Sequence, residues 1–502
     1  MEYISTRGES KASGSIQAML EGLAPDGGLF LPQEFPSCLL EQILSLKNLN
    51  YVELATELLS MFLTDFTKDE ISTMVRSAYT IEKFSSPQVT PVKNLDGALG
   101  FLELWHGPTC AFKDLALQLL PYLLVKAAEK TGDHREIVLL VATSGDTGKA
   151  ALEGFKDITG TRVIVFYPSQ GVSVMQKRQM LTQEGRNTLV IGVDGNFDQA
   201  QSGVKAIFSD EELAKQMSGA GKRFSSANSI NWGRLLPQVV YYVWSYLSWA
   251  RAGRLKAGER FNIVVPTGNF GNILAAYYGK KLGLPVNKLI CASNTNNVLT
   301  DFFRTGVYNR KRDFYQTISP SMDILISSNL ERLLFELVER DGERVKGFMG
   351  ELQEKGSYEL SSNLVRRLGE DFWGGYATEA ETEQAMDEVF KAYRYLMDPH
   401  TAVGYKVYQD YKARTGDRTP TVIASTASPF KFPSSIAQAV MGMKKSKIAS
   451  DVEIRLLGEI SQFTGVPVPS PLRDLATKAI RHQKVVDVQE MKGTVQDILF
   501  SQ

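Results

Sequence analysis

One lysine opens an apolar stretch of this chain. Lys113 closes the run His106-Gly107-Pro108-Thr109-Cys110-Ala111-Phe112-Lys113 and, with Asp114, stands directly ahead of LALQLLPYLLVKAAEK. Burial disfavours the ammonium form of an amine and leaves a nucleophile. The residues alone favour a surface lysine at a helix start, paired with Asp114. Two other segments share a pattern in which a strand ends and a Gly/Ser/Thr/Asn loop opens a helix: Ser144-Gly145-Asp146-Thr147-Gly148 and Gly268-Asn269-Phe270-Gly271-Asn272. A helix start presents free N–H groups and partial positive charge, and glycine lets an anion approach the backbone. Each loop is therefore a candidate phosphate cradle, although a plain βα turn has the same composition. Their presence in separate αβ units suggests two phosphates, or a phosphate and a carboxylate. Neither matches GxxxxGK[ST] or GxGxxG, which disfavours ATP and NAD.

The elements that must position these residues follow a βα rhythm. EIVLLVAT, RVIVFYP and NTLVIGVDG are apolar throughout, and helical stretches separate them. Such strands indicate a parallel sheet covered on both faces. A second series starts near 261 with FNIVVPTG, continues with KLICASN and closes with TPTVIAST. The expected class is α/β, with two doubly wound αβ domains flanking a cleft and ligands at the C-terminal ends of the strands. The expected division is a mainly helical N-terminal domain, 1–95, then an αβ domain, 96–230, containing Lys113, with a smaller, mobile part at about 130–225. A large αβ domain, 231–435, follows, with a helical insertion at about 310–400, and then a C-terminal helical extension, 436–502, that includes the short apolar strand KVVDV. Closure over substrate is expected for such a cleft.

The bulk numbers narrow the function. A chain of 502 residues exceeds one compact core. Lys+Arg and Asp+Glu balance at 56 each, so there is no global field for nucleic acid or an anionic membrane, and anion binding must be local. Cys38, Cys110 and Cys291 lie far apart and no Cys/His ligand spacing occurs, so neither a metal site nor a disulfide framework is expected. The polar start MEYISTRGESKASG lacks an apolar h-region, and no apolar run reaches membrane-spanning length. The expected location is the cytoplasm.

HGPTCAFKD at 106–114 resembles the pyridoxal-phosphate lysine motif of threonine synthases. STRG (5–8), DGGLFLP (26–32), ATSGDTG (142–148), SANSINWGR (226–234), PTGNFGN (266–272) and STASPFKFP (425–433) resemble further segments of that family, in order, over nearly the whole chain. The length and the insertion resemble the family's longer subgroup. One departure is Ser428, where the family more often has His.

The resemblance implies a fold type II enzyme that carries pyridoxal 5'-phosphate. It implies O-phospho-L-homoserine as the small-molecule substrate and L-threonine and phosphate as products, in a monomer or homodimer. By the same resemblance Lys113 holds the cofactor as a Schiff base and moves protons. Asp146 lies near the cofactor's 3'-oxygen, Thr426 meets the pyridine nitrogen, and Gly268, Asn269, Phe270, Gly271 and Asn272 cradle its phosphate. Arg234 binds the substrate phosphate, with Ser229, Thr147 and Asn269 as partners, and Ser144 contacts the substrate carboxylate or phosphate. Taken by itself, Arg234 also fits an ordinary surface ion pair. His106 is expected to be structural, and Cys110 receives no role.

Overall fold

The computed structural model describes residues 1–12, 14–143, 145–169, 172–444 and 453–500. Strands β1 (Tyr3–Ser5), β2 (Lys11–Ala12) and β3 (Phe30–Pro32) form a small antiparallel sheet in the order β2-β1-β3. Two capped amphipathic helices follow, Tyr51–Phe62 and Lys68–Ala78. Asn50 and Thr67 each accept from the backbone N–H three residues on, and Glu53 and Glu70 return the bond. Such reciprocal capping satisfies the free N–H groups of a first turn.

Next along the chain come β4 (Val92–Asn94) and β5 (Leu99–Glu103), then β6 (Glu136–Ala142), β7 (Thr161–Pro168), β8 (Thr188–Asp194) and β9 (Lys222–Ser225). The second half contributes β10 (Phe261–Pro266), β11 (Val286–Ser293), the antiparallel pair β12 (Val307–Asn309) and β13 (Ser357–Glu359), β14 (Phe372–Tyr376), β15 (Thr421–Ser425) and β16 (Val485–Asp487). The smaller parallel sheet runs β16-β8-β7-β6-β9, and the larger runs β14-β11-β10-β15-β5-β4, with only β4 antiparallel to its neighbour. Apolar clusters cover both faces of each sheet, as fully apolar strands require. The expected α/β architecture of fold type II is thus present.

The sheets cross the expected chain divisions, beginning with β4, which lies within 1–95 but pairs with β5 in the larger sheet. Strand β5 belongs by position with Lys113 but pairs with β15 in the larger sheet. The stretch read as a helical insertion contains β14, which pairs in parallel with β11. Its sequence, FWGGY, has two glycines and no alternation, so neither propensity nor period marks it as a strand. The tail strand β16 adds to β8 and extends the smaller sheet. Among the described residues no helix is long and apolar enough to cross a membrane.

Candidate active site

The segments singled out in the sequence leave the C-terminal ends of parallel strands, where open α/β sheets bind ligands. The turn bearing Lys113 follows β5, Asp146 follows β6, the loop 268–272 follows β10 and Thr426 follows β15. Two of these segments are tied together directly. Ala111 bridges Ala427, Phe112 N donates to Thr426 O at 2.8 Å and Ser428 N donates to Cys110 O at 3.0 Å. Ser428, the departure from the family pattern, is buried and accepts from Phe430 N at 3.4 Å, which starts the turn Pro429–Lys431.

Lys113 stands at the start of the short helix Asp114–Leu117, and its side chain is 11% exposed. It does not pair with Asp114. That buried carboxylate accepts from Thr109 N at 2.8 Å and from Thr109 Oγ1 at 2.7 Å, which closes the turn ahead of the lysine. Burial pushes the Asp114 carboxyl up to about 6. Lys113 Nζ instead lies 3.5 Å from Asp146 Oδ2 and donates to Ser321 Oγ at 3.4 Å. Burial is the main force on this amine and pulls it down to about 8. Asp146 opposes that shift, while the charges of Arg234 and Lys431 add to it.

Asp146 opens the helix Asp146–Gly154. Its Oδ1 accepts from Gln176 Nε2 at 2.7 Å and pairs with Lys431 Nζ at 2.7 Å, and its Oδ2 accepts from Ser321 Oγ at 3.3 Å. Burial alone would raise this carboxyl, but Lys431 and Lys113 outweigh burial and hold it well below the usual carboxylate range. Thr147, next on the same helix, is half-buried. Ser144 lies outside the described residues.

The loop 268–272 opens the helix Gly271–Leu282. Phe270, its N-cap, sits at φ +65°, a left-handed conformation that costs a non-glycine residue about 1–3 kcal/mol. Its buried ring packs against Phe303 and Phe372, so the side chain anchors the loop in the core while the backbone turns outward. Asn269 is exposed, and its carbonyl accepts from Asn329 N and Nδ2, each at 3.1 Å. A Cβ on Gly268 would lie 2.6 Å from the Ser321 carbonyl oxygen, so only glycine fits there. A Cβ on Gly271 would lie 3.8 Å from Ser229 Cβ, which places Ser229 beside this loop. Asn272 Oδ1 accepts from Tyr241 and Tyr242 hydroxyls, while its buried Nδ2 has no partner among the described residues. A helix start with a close-approach glycine, an unpartnered buried donor and a buried amine with a depressed pKa fit an aldehyde cofactor that carries a phosphate.

Arg234 is buried and donates from Nη1 to Ala227 O at 2.6 Å. It has no carboxylate partner among the described residues, so the surface ion pair is not formed. Burial lowers it to about 10. His106 bonds Glu103 at 2.8 Å and Ser85 Oγ at 3.0 Å and stacks on Trp105, which makes it part of the wall.

Three contributors were not singled out from the sequence: Lys431, Ser321 and His400. Lys431 stood inside a quoted segment, and a lysine between Phe430 and Phe432 was the signal available. Ser321 is held over the site by the segment 317–323. Asn294, just past β11, donates from Nδ2 to Thr317 Oγ1 at 2.8 Å and to Asp323 Oδ1 at 2.7 Å. Buried His400 accepts from Ser321 N at 3.1 Å through Nε2, and its Nδ1 donates to Asp398 Oδ1 at 2.7 Å. These contacts join residues far apart in sequence.

Family models described as threonine synthase N terminus, pyridoxal-phosphate dependent enzyme, and threonine synthase C-terminal match residues 2–79, 86–351 and 401–495. Threonine synthase-like 1 of Homo sapiens is 40% identical over 97% of the chain, which spans 66% of that protein's length. Threonine synthase of Pseudomonas aeruginosa is 38% identical over 88% of the chain and 91% of its own. The crystal structure of pyridoxal-phosphate-bound threonine synthase from Brucella melitensis superposes with a TM-score of 0.87 at 37% identity, covering 99% of this chain and 98% of that one.

Proposed function

The chain belongs to the threonine synthase family of pyridoxal-phosphate-dependent lyases, and we propose that it converts O-phospho-L-homoserine and water into L-threonine and phosphate, by γ-elimination of phosphate followed by β-addition of water. Bound pyridoxal phosphate supplies the electron sink that makes carbanion character at Cα and Cβ accessible.

Arg234 carries the reading. A buried guanidinium whose one hydrogen bond among the described residues goes to a carbonyl leaves its remaining donors and its charge for an anion, close enough to Lys113 to depress it. A phosphate leaving from substrate is an anion of the right kind, since guanidinium meets it with paired N–H donors while charge develops. Ser229, Thr147 and Asn269 are assigned to the same phosphate, and Ser144 to the substrate's carboxylate or phosphate.

Lys113 is assigned the covalent link to the cofactor and the proton transfers at Cα and Cβ. An amine near 8 gives up and takes back a proton close to neutral pH. The N–H groups of the loop Gly268, Asn269, Phe270, Gly271 and Asn272 are assigned to the cofactor phosphate. Asp146 is assigned to the ring oxygen and the neutral hydroxyl of Thr426 to the ring nitrogen, where it would not enforce protonation as an aspartate does.

The deciding experiment incubates the protein with O-phospho-L-homoserine and follows phosphate and threonine together. Equal release of both supports the reading. Phosphate with 2-oxobutyrate and ammonia, and no threonine, overturns it in favour of a phospho-lyase on the same site. The threonine synthase-like 1 relatives, at 39–40% identity, are the reason to measure both products.

A further inference from the structure

Lys431 is a buried lysine for which the chemistry above has no task. Its side chain is shut off from solvent; Nζ meets Asp146 Oδ1 at 2.7 Å and donates to Thr109 O at 2.9 Å. We propose that Lys431 is a positioning residue that neutralises Asp146 through Oδ1, so that Lys113, at Oδ2, is not that carboxylate's sole counter-ion and can stand as a neutral amine. The proposal rests on Lys113 being the reactive amine and is independent of the substrate.

The argument is one of charge pairing inside a low-dielectric site. A buried carboxylate requires a counter-ion, and removing one partner of a buried pair leaves the other uncompensated. Among the described residues two cations lie within ion-pair distance of Asp146, Lys431 at 2.7 Å and Lys113 at 3.5 Å. Among the described residues Asp146 is the carboxylate within ion-pair distance of Lys431; nearby Asp114 attracts it only from further off, with both of its oxygens accepting from Thr109. The carboxylate is thus divided. Oδ1 is committed to Lys431 and Gln176, and Oδ2 faces Lys113 and Ser321.

The other charged or titratable groups facing this cluster do not replace Lys431. Arg234 faces Lys113 from the helix Trp232–Leu235 and repels it. Cys110 is pushed up to about 12 by burial and stays neutral. Lys149 is committed to Glu153 at 2.9 Å. His400 reaches the cluster only through the Ser321 N–H, with Asp398 behind it. Without Lys431, the negative charge of Asp146 falls wholly on Lys113 and holds that amine protonated.

The test is trace acetylation of Lys113 in the full-length protein freed of cofactor, read by peptide mass spectrometry from about pH 6 to 11, a window around the ordinary lysine value. Lys431→Met is expected to move the labelling midpoint of Lys113 upward by about one pH unit or more, the usual effect of an uncompensated neighbouring charge. Lys431→Met/Asp146→Asn, which removes both charges, is expected to return the midpoint to the parent's or below it. A single variant that fails to fold beside a double variant that folds supports the same neutralising role. A midpoint in folded Lys431→Met equal to the parent's overturns the proposal, as does a double variant whose midpoint stays as high as that of the single variant.

Discussion

At the scale of residues, the site is a set of buried charges whose protonation decides what they can do. Lys113 attacks an aldehyde only as the neutral amine. With its pKa near 8, the rate of pyridoxal-phosphate uptake by cofactor-free protein is expected to rise through pH 8 and level off above it. An unperturbed lysine would still be climbing near about pH 10. Stopped-flow growth of the visible band across pH checks this, and Lys113→Ala should give no band. The same shift has a stability consequence of defined sign. The folded chain holds fewer protons on Lys113 than the unfolded chain between 8 and 10.5, so this residue's contribution becomes more favourable as pH rises through that window. Arg234 provides a second prediction. Arg234→Gln removes charged hydrogen bonds to phosphate that are each worth about 1.5–3 kcal/mol. The KM for O-phospho-L-homoserine and the inhibition constant of inorganic phosphate should therefore both rise by roughly 10- to 100-fold, while the visible band persists. A variant that loses the band, or leaves both constants unchanged, would show that Arg234 serves another purpose.

At the scale of elements, precision comes from backbone packing that no local pattern announces. Gly154 ends the helix begun by Asp146, and a Cβ there would lie 2.0 Å from the carbonyl oxygen of Leu117 in the helix that follows Lys113. The obstacle is backbone, so the two helices must part. Gly154→Ala is expected to destabilise the fold by about 1–3 kcal/mol, the range for overpacking, and to weaken cofactor binding because Lys113 and Asp146 ride on the two displaced helices. Thermal unfolding and cofactor titration on one sample check both outcomes together. A site-selective loss with no change in melting would refute the packing account. Much at this scale was legible beforehand. EIVLLVAT, RVIVFYP and FNIVVPTG announce buried parallel strands because both faces are apolar, and the loops that follow EIVLLVAT and FNIVVPTG pointed to the site. What stayed hidden was non-local or locally atypical. The glycines of β14 conceal a strand, nothing near β5 says that its partner is β15, and Lys431 meets Asp146 from a segment far along the chain that the bridge between Ala111 and Ala427 brings alongside.

At the scale of the whole molecule, the N-terminal layer is fastened to the site by two neighbouring residues that do different jobs. Glu331 receives Thr6 Oγ1 at 2.6 Å and a bidentate pair from Arg7 at 3.0 and 3.1 Å, which ties the STRG segment to the helix Leu330–Leu337. Arg332, fully buried, donates to Phe30 O at the β1–β3 sheet, to Ile230 O in the SANSINWGR segment at 2.6 Å, and to Asn329 Oδ1 at 2.6 Å. Asn329 in turn holds the Asn269 carbonyl of the loop assigned to the cofactor phosphate. Arg332 therefore links three separate segments, whereas Glu331 fastens only the N-terminal layer. The two substitutions should separate accordingly. Glu331→Gln keeps the shape but loses the charge opposite Arg7, and it is expected to lower stability by about 1–3 kcal/mol with cofactor affinity unchanged. Arg332→Met leaves buried acceptors at Phe30, Ile230 and Asn329 unpaired, each at about 1–3 kcal/mol, and frees Asn329 to release Asn269. Stability and cofactor affinity should fall together, the latter by roughly tenfold or more if the loop loses one charge-linked support worth about 1.4 kcal/mol. Denaturant unfolding paired with pyridoxal-phosphate titration distinguishes the two. If Glu331→Gln weakened the cofactor as much as Arg332→Met, the N-terminal layer as a whole, rather than the Arg332–Asn329–Asn269 chain, would be what shapes the loop.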